Sequence, residues 1–159
     1  MTMTQDELER QILDGVAQRG VYVVNVLPLP DGSDGEEQFS YTVGLSKSMN
    51  WSEMICFGLG TNEMMEMLGL AIAECWERKI TPRDGLILDW VLDGASVKLA
   101  RNDRIPDNYL RYADWFAEQN DLPKPDRLQL MWPDRNGIYP DDERCQSDVQ
   151  AAQTPLVRS

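Results

Sequence analysis

Residues 86–100, LILDWVLDGASVKLA, predict a pair of β-strands joined by a tight turn. The segments on either side of the turn, 86–92 and 95–100, are rich in the branched apolar residues that strands favour. Between them, Asp93-Gly94 is a residue pair typical of two-residue type I′ hairpins. Strands that follow one another in hairpins favour an α+β fold over a doubly wound fold, in which strands and helices alternate.

The rest of the chain extends this pattern on both sides of the hairpin. Short apolar or alternating segments predict four further strands, at residues 21–27, 38–45, 54–59 and 127–132. The sequence therefore predicts one α+β domain over residues 1–159, with an antiparallel or mixed sheet of about six strands and about three helices packed on it. Residues 134–159 are predicted to form a loop-rich C-terminal tail that covers the fold, with one short helix near 148–153.

Capping residues and apolar spacing predict three longer helices. Thr4 and Glu7 form a capping box before a helix over residues 5–18, and Gly20 ends that helix. The second helix begins near the cap candidate Thr61. Its apolar stripe consists of Met64, Leu68, Ala71, Ile72 and Cys75, with Met67 and Trp76 at the edges. The third helix has an apolar face formed by Tyr109, Tyr112, Ala113 and Phe116.

The chain is acidic and lacks histidine. Its 159 residues include 27 Asp plus Glu, 15 Lys plus Arg and no His, for a formal net charge of -12. Without imidazole, Ser-His-Asp relays, Cys-His relays and histidine metal sites are excluded. The excess negative charge opposes binding to nucleic-acid phosphates, which depends on Lys and Arg. We therefore expect no direct nucleic-acid contact and, because no motif indicates one, no cofactor.

The sequence favours a cytoplasmic location. No segment approaches the roughly 20 apolar residues that cross a bilayer, and the first residues lack the basic and apolar regions of a signal peptide. No membrane contact is therefore expected. Cys56, Cys75 and Cys145 are an odd number without a Cys-x-x-Cys pair. The first two lie in apolar patterns typical of core positions, whereas Cys145 lies in the polar tail, where exposure is expected.

Three local patterns allow both a functional and a structural interpretation. The acidic loop 31–37 loosely resembles a calcium loop, but its ligand spacing favours a solvated connection. The amides of Gly58-Leu-Gly60 either bind an anion or only form a strand-to-helix turn, and the lack of a basic neighbour favours the turn. Asp89 is either an outward-facing residue of a half-exposed strand, which is favoured, or a buried acid.

A candidate binding surface combines aromatic and charged residues near the ends of predicted strands. Trp51 and Trp132 each lie where a strand meets a loop, and with Tyr139 they are predicted to line a pocket or a partner surface. A turn at Asn136-Gly137 leaves Asp134 and Arg135 at its apex, where they serve either a site or the structure. In the structural alternative, Asp134 caps turn amides and Arg135 pairs with a carboxylate. The full candidate set is Tyr41, Thr42, Trp51, Trp132, Asp134, Arg135 and Tyr139.

Several motifs together resemble a known family. They are Tyr41-Thr-Val-Gly-Leu45, Glu53 just upstream of the strand ending in Phe57-Gly-Leu59, and Leu128-Gln-Leu-Met-Trp-Pro-Asp-Arg-Asn-Gly137. Their order and spacing resemble the bacterial domain-of-unknown-function family 4262. Gln153-Thr-Pro-Leu156 is similar to the Gln-Pro-Leu with which family members close. The resemblance implies a small stand-alone cytoplasmic protein and carries no activity over to this chain.

The chain departs from the family pattern at two positions. Members often have His-Gly-Trp where this chain has Arg19-Gly-Val21, and His-Pro-Glu where it has Trp51-Ser-Glu53. If those histidines serve chemistry in relatives, this chain has lost that chemistry. The resemblance therefore favours a protein that is not an enzyme, or one whose chemistry uses carboxylates with Tyr41, Thr42 and Arg135.

Three functions are compatible with these residues. The preferred one is a non-catalytic module that binds another protein through the edges 41–45 and 132–137. The second is an acidic inhibitor of the basic nucleic-acid channel of a nuclease, toxin or defence complex, toward which its net charge would steer it. The acids are scattered along the chain, which argues against a phosphate mimic. The third is a small hydrolase that uses carboxylates and a metal ion. The sequence leaves the oligomeric state open.

Overall fold

A computed structural model describes residues 4–26, 38–92 and 95–153 of the chain. Its strands are β1 Tyr22–Val26, β2 Phe39–Val43, β3 Glu53–Phe57, β4 Ile87–Leu92, β5 Ala95–Arg101 and β6 Arg127–Met131. Its helices are α1 Gln5–Arg19, α2 Leu45–Ser48, α3 Thr61–Arg78, α4 Arg111–Gln119 and α5 Ser147–Ala152, with a 3-10 turn at Asp107–Leu110 before α4. The predicted calcium-like loop and the Asp93-Gly94 turn lie outside the described residues.

The strands form one mixed sheet in the order β1-β2-β3-β6-β5-β4. The β4–β5 pair is antiparallel, as the hairpin sequence predicts, and β3 and β6 pair in parallel. The α+β class with a six-stranded mixed sheet is therefore confirmed. The last strand of the chain lies in the middle of the sheet, because β6 pairs with β3 on one side and β5 on the other.

Apolar residues on the two faces of the sheet form separate cores. One core contains the buried side of α3 with residues of β3, β4, β5 and β6. The other core contains α1, the 3-10 turn and α4, packed on residues of β1, β2 and β3. This arrangement places helices on both faces, as expected for a sheet whose interior strands β2 and β3 are fully buried.

The ends of the longer helices follow from local sequence. Thr4 and Glu7 form the predicted capping box of α1, and Gly20 ends that helix with a φ of 86°. The prediction that Thr61 caps α3 is wrong. The N-cap is Gly60, whose N–H donates to the Glu63 carboxylate at 3.2 Å, so Glu63 supplies the cap. Gly58 and Gly60 thus belong to the turn between β3 and α3.

Residues 134–153 cover the sheet face opposite α3. Lys98 and Gln129 alternate with strand residues that face α3, and both contact this segment. Lys98 Nζ lies 2.7 Å from an Asp141 carboxylate oxygen, and Gln129 Nε2 donates to the Gln153 carbonyl at 3.2 Å. These two contacts hold the described part of the tail against the sheet.

Two sequence expectations about single residues need correction. Cys145 was expected to be exposed because its neighbours are polar, but it is buried within the tail. Cys56 in β3 and Cys75 in α3 are also buried. Leu45 was assigned to a strand, yet it begins the short helix α2.

Asp89 is exposed and accepts a hydrogen bond from Ser96 Oγ at 2.7 Å, so the structural interpretation holds.

Among the helices that the structure describes, none is both long and apolar enough to cross a membrane.

Candidate functional site

Glu53, at the start of β3, is a fully buried carboxylate surrounded by donors. It is 1% exposed. The Thr42 hydroxyl donates to Oε1 at 2.7 Å and the Leu45 N–H at 3.3 Å, while the N–H groups of Gly44 and Ser46 donate to Oε2 at 3.1 Å each. The carboxylate therefore holds the first turn of α2 and ties it to β2 and β3.

The segment 41–45 and Glu53, which are parts of one set of sequence motifs, are in direct contact in the structure. Gly44 has a φ of 105°, and a Cβ there would lie 2.7 Å from a Val16 methyl group, so only glycine fits. Burial raises the pKa of Glu53, and the hydrogen bonds from Thr42 and Ser46 oppose that rise. Because its oxygens accept from four internal donors, Glu53 is a structural anchor rather than a group open to a ligand.

Tyr41 and Thr42 lie inside the protein. Tyr41 is 1% exposed, its hydroxyl accepts a hydrogen bond from the Tyr112 N–H at 3.2 Å, and burial raises the pKa of its phenol. Thr42 Oγ1 accepts from the Met54 N–H at 2.9 Å while donating to Glu53. Neither side chain is available to a partner in this structure.

Asp134 organises the tail. It accepts hydrogen bonds from the N–H groups of Asn136, Ile138 and Gln146 at 2.8–3.0 Å. Burial acts to raise the pKa of Asp134, but these donors outweigh it and hold the pKa below its ordinary value. The structural interpretation therefore accounts for Asp134. Arg135 is exposed, and within the described part of the chain no ion pair forms at its guanidinium.

Trp132 and Tyr139 are half-buried and engaged with the fold. Trp132 Nε1 donates to the Phe57 carbonyl at 2.9 Å, and its backbone exchanges two hydrogen bonds with the Gln153 side-chain amide. Tyr139 lies under Lys98, whose Nζ is 5.8 Å from the ring centroid.

Tyr41 packs in the core beneath α1 and α4, whereas Trp51 packs against the core under α3. The candidate residues therefore do not converge on one cleft.

Trp51 borders a largely apolar depression beside the C-terminal end of α3. Its volume is about 500 Å³. We name it the tryptophan depression, and it is lined by Trp51, Cys75, Trp76, Glu77, Lys79, Ile80 and Thr81. Trp76 was expected at the core edge, but it is 62% exposed. Depressions of this size and composition are typical of sites that accept part of a ligand or partner.

A second apolar stripe on α3 leads to this depression. The buried residues Met64, Leu68, Ala71 and Cys75 face the sheet, and the same spacing one residue later selects Met65, Gly69, Ile72 and Trp76, which we name the outer stripe. Met65 is 40% exposed, Gly69 faces open space, and Ile72 is half-buried. The buried stripe predicted from the sequence included Ile72, had Trp76 at its edge and did not include Met65, although helical spacing was the signal that could have separated the two stripes.

Charges around the outer stripe are mostly negative. Glu66 and Glu77 are exposed on α3, and neither makes an ion pair with any residue the structure describes. In the last turn, Arg78 is bound to Glu74 at 3.0 Å, so it does not neutralise Glu77. An apolar surface with a negative rim complements an apolar surface with a positive rim.

A different depression, of about 430 Å³, is lined by charges of both signs at the edge of the sheet where β3 and β6 begin. Lys124 there pairs with Asp107 at 3.0 Å, and Arg127 pairs with Asp114. Its cations are thus largely engaged by the protein's own acids. Over residues 4–26, 38–92 and 95–153, no cluster of three acidic or cysteine side chains is arranged to hold a metal ion.

A family model described as a domain of unknown function, DUF4262, matches residues 15–146. The chain belongs to this family. No curated protein and no solved structure matches it. In this DUF4262 chain the segment 41–45 and Glu53 form a buried framework, and Trp51, two residues before that acid, reaches the tryptophan depression.

Proposed function

We propose that this DUF4262 protein is a non-catalytic module that binds another protein through the outer stripe of α3 and the tryptophan depression. The observation that carries this proposal is Trp76, an indole 62% exposed beside a depression that it shares with Trp51. Exposed aromatic residues next to a depression are typical of the positions that dominate binding energy at protein interfaces.

The magnitude of the available burial supports this role. A tryptophan buries about 150–250 Å² in a core, so covering the exposed part of Trp76 would remove on the order of 100–150 Å² from water. At about 25 cal/mol per Å², this contributes roughly 2.5–4 kcal/mol before the cost of ordering is subtracted. Met65, 40% exposed on the same stripe, adds to this area. The stripe is therefore strong enough to act as the centre of an interface.

The placement of the acids also favours binding over catalysis. Glu53 and Asp134 are the buried carboxylates among the described residues, and backbone N–H groups occupy both of them. Carboxylates used in this way hold loops in place, so they are poor candidates for general acids or bases. The exposed acids Glu66 and Glu77 flank an apolar stripe instead of lining a cleft with other acids.

The acidic-inhibitor alternative differs from this proposal in the interaction that contributes most of the binding free energy. An inhibitor of a basic channel would depend mainly on charge, and its binding would be lost at high salt. A module that binds through Trp76 depends mainly on apolar burial, so salt would slow association and leave the complex largely intact. The rim formed by Glu66 and Glu77 supports a basic partner in either case.

Affinity purification from the source organism tests the proposal with matched variants. Trp76→Ala removes the proposed centre, and Leu13→Ala is the control, because Leu13 is 44% exposed on α1 at the other face of the sheet. We expect a partner that is retained through high-salt washing by the wild type and by Leu13→Ala, and that is lost with Trp76→Ala. Equal retention by both variants would contradict the proposal, as would binding removed by salt alone. Unchanged thermal unfolding of Trp76→Ala would exclude misfolding as the cause.

A further inference from the structure

We propose that the tryptophan depression takes an arginine side chain of the protein partner. This inference rests on the proposed function and deepens it, because it gives the chemistry of the group that enters the site. Three features of the depression favour a planar cation: its two indoles, a carboxylate without a salt bridge, and the end of a long helix.

The indoles provide the apolar and π surface. Trp51 and Trp76 both line the depression, with Ile80 completing its apolar part. Cations are attracted to the face of an aromatic ring, and tryptophan is the strongest of the aromatic side chains in this respect. The volume of about 500 Å³ is large enough for a long side chain.

The charge of the site comes from Glu77 and from the helix end. Glu77 lines the depression, and among residues 4–26, 38–92 and 95–153 it has no salt-bridge partner. The 18-residue helix α3 ends here, with Lys79 in a left-handed conformation and the Ile80 N–H donating to the Cys75 carbonyl at 2.9 Å. The C-terminal end of a helix carries partial negative charge, which stabilises a nearby cation.

Lys79 is the opposing feature, because its positive charge also lines the depression. It is exposed and lies outside every ion pair of the described chain, so its flexible side chain is free to turn toward solvent. Guanidinium is favoured over ammonium as the ligand for two reasons. It is less strongly hydrated and stacks on aromatic faces, and its fork can bind a carboxylate such as Glu77 with two hydrogen bonds.

Nuclear magnetic resonance with a minimal probe tests this inference without the partner. The probe is Nα-acetyl-arginine amide, and the comparison is Nα-acetyl-citrulline amide, which has nearly the same shape and no charge. The indole N–H signals of Trp51 and Trp76 are assigned with single Trp→Phe variants. We expect saturable shifts of both signals by the arginine probe, with a dissociation constant on the order of millimolar, and much smaller shifts by citrulline.

Two charge variants complete the test. Glu77→Gln is expected to weaken binding of the arginine probe about 3- to 10-fold, whereas the matched variant Glu118→Gln, exposed on α4 at the other face of the sheet, leaves it unchanged. Lys79→Gln is expected to tighten binding, because it removes a like charge. Equal shifts by arginine and citrulline would overturn the inference, as would equal binding of Nα-acetyl-lysine amide or the absence of shifts at both indoles. If the probe fails while Trp76→Ala still loses the partner, the arginine assignment is wrong and the proposed function stands.

Discussion

At the scale of single residues, Glu53 shows how one buried acid fixes a local structure. Its two oxygens accept four hydrogen bonds, three of them from the backbone of residues 44–46. A carboxylate is suited to this position because its four hydrogen-bond partners are all donors. The chain leading into the Trp51 region is therefore held by hydrogen bonds that join residues seven to eleven positions apart.

Glu53→Gln tests this role. The amide NH₂ group cannot accept a hydrogen bond, so in either orientation two of the four donors lose their acceptor. Each unsatisfied buried donor costs about 1–3 kcal/mol, and we expect a loss of that size or more in the free energy of unfolding. Urea titration measures it, with the exposed Glu66→Gln as control. Equal stability of the two variants would contradict the account of Glu53.

The pH dependence of this stability difference has a definite sign. Burial raises the pKa of Glu53, so folding favours the protonated form. The stability that this group contributes is fully present below its ordinary pKa of 4.5 and is lost as the pH rises through the raised value of the folded protein. The stability advantage of the wild type over Glu53→Gln should therefore shrink from pH 4.5 upward and then level off. An advantage that grows with pH would show that the hydrogen bonds outweigh burial.

At the scale of secondary-structure elements, α3 presents two apolar stripes with different tasks. Met64, Leu68, Ala71 and Cys75 are buried against the sheet, whereas the outer stripe is partly exposed, with Met65 40% and Trp76 62% exposed and Ile72 half-buried. A single helix therefore connects the core of the protein to its proposed interface.

Matched alanine variants separate the two stripes of α3. Leu68→Ala removes a fully buried side chain and should cost about 2–5 kcal/mol of unfolding free energy. Met65→Ala removes a side chain that is 40% exposed and whose Sδ lies 3.3 Å from Asn25 Nδ2, and it should cost about 1 kcal/mol or less, clearly below the loss with Leu68→Ala. Chemical denaturation measures both. A large loss with Met65→Ala would assign the outer stripe to the core and remove it from the interface.

Local patterns predicted most elements, because capping boxes, apolar periodicity and turn residues act over a few positions. Helix α2 was missed since its four residues depend on Glu53, beyond its own segment. The central position of β6 was also not predictable, because a parallel pairing with β3 joins strands about 70 residues apart and leaves no local signal. Of the candidate site residues, Trp51 reaches the depression, whereas Tyr41 is buried. The exposure of Trp76 was not predicted, because it depends on how α3 lies on the sheet.

At the scale of the whole molecule, the absence of histidine excludes histidine-based catalysis and metal sites, and a net charge of -12 opposes binding to nucleic-acid phosphates. The fold shows where part of this negative charge lies. Two of the acids, Glu66 and Glu77, flank an exposed apolar stripe, where they would guide a basic partner without supplying most of its affinity. The charge of the molecule is thus expected to affect the rate of association, and Trp76 the lifetime of the complex.

The most direct test is the affinity of the purified partner for the wild type, Trp76→Ala and Leu13→Ala, measured by calorimetry at about 0.1 M and about 1 M salt. We predict that Trp76→Ala weakens binding by about 2 kcal/mol or more, roughly 30-fold, at both salt concentrations, and that Leu13→Ala has no effect. Affinity that is unchanged by Trp76→Ala and abolished by salt would contradict the proposed interface and favour the acidic inhibitor.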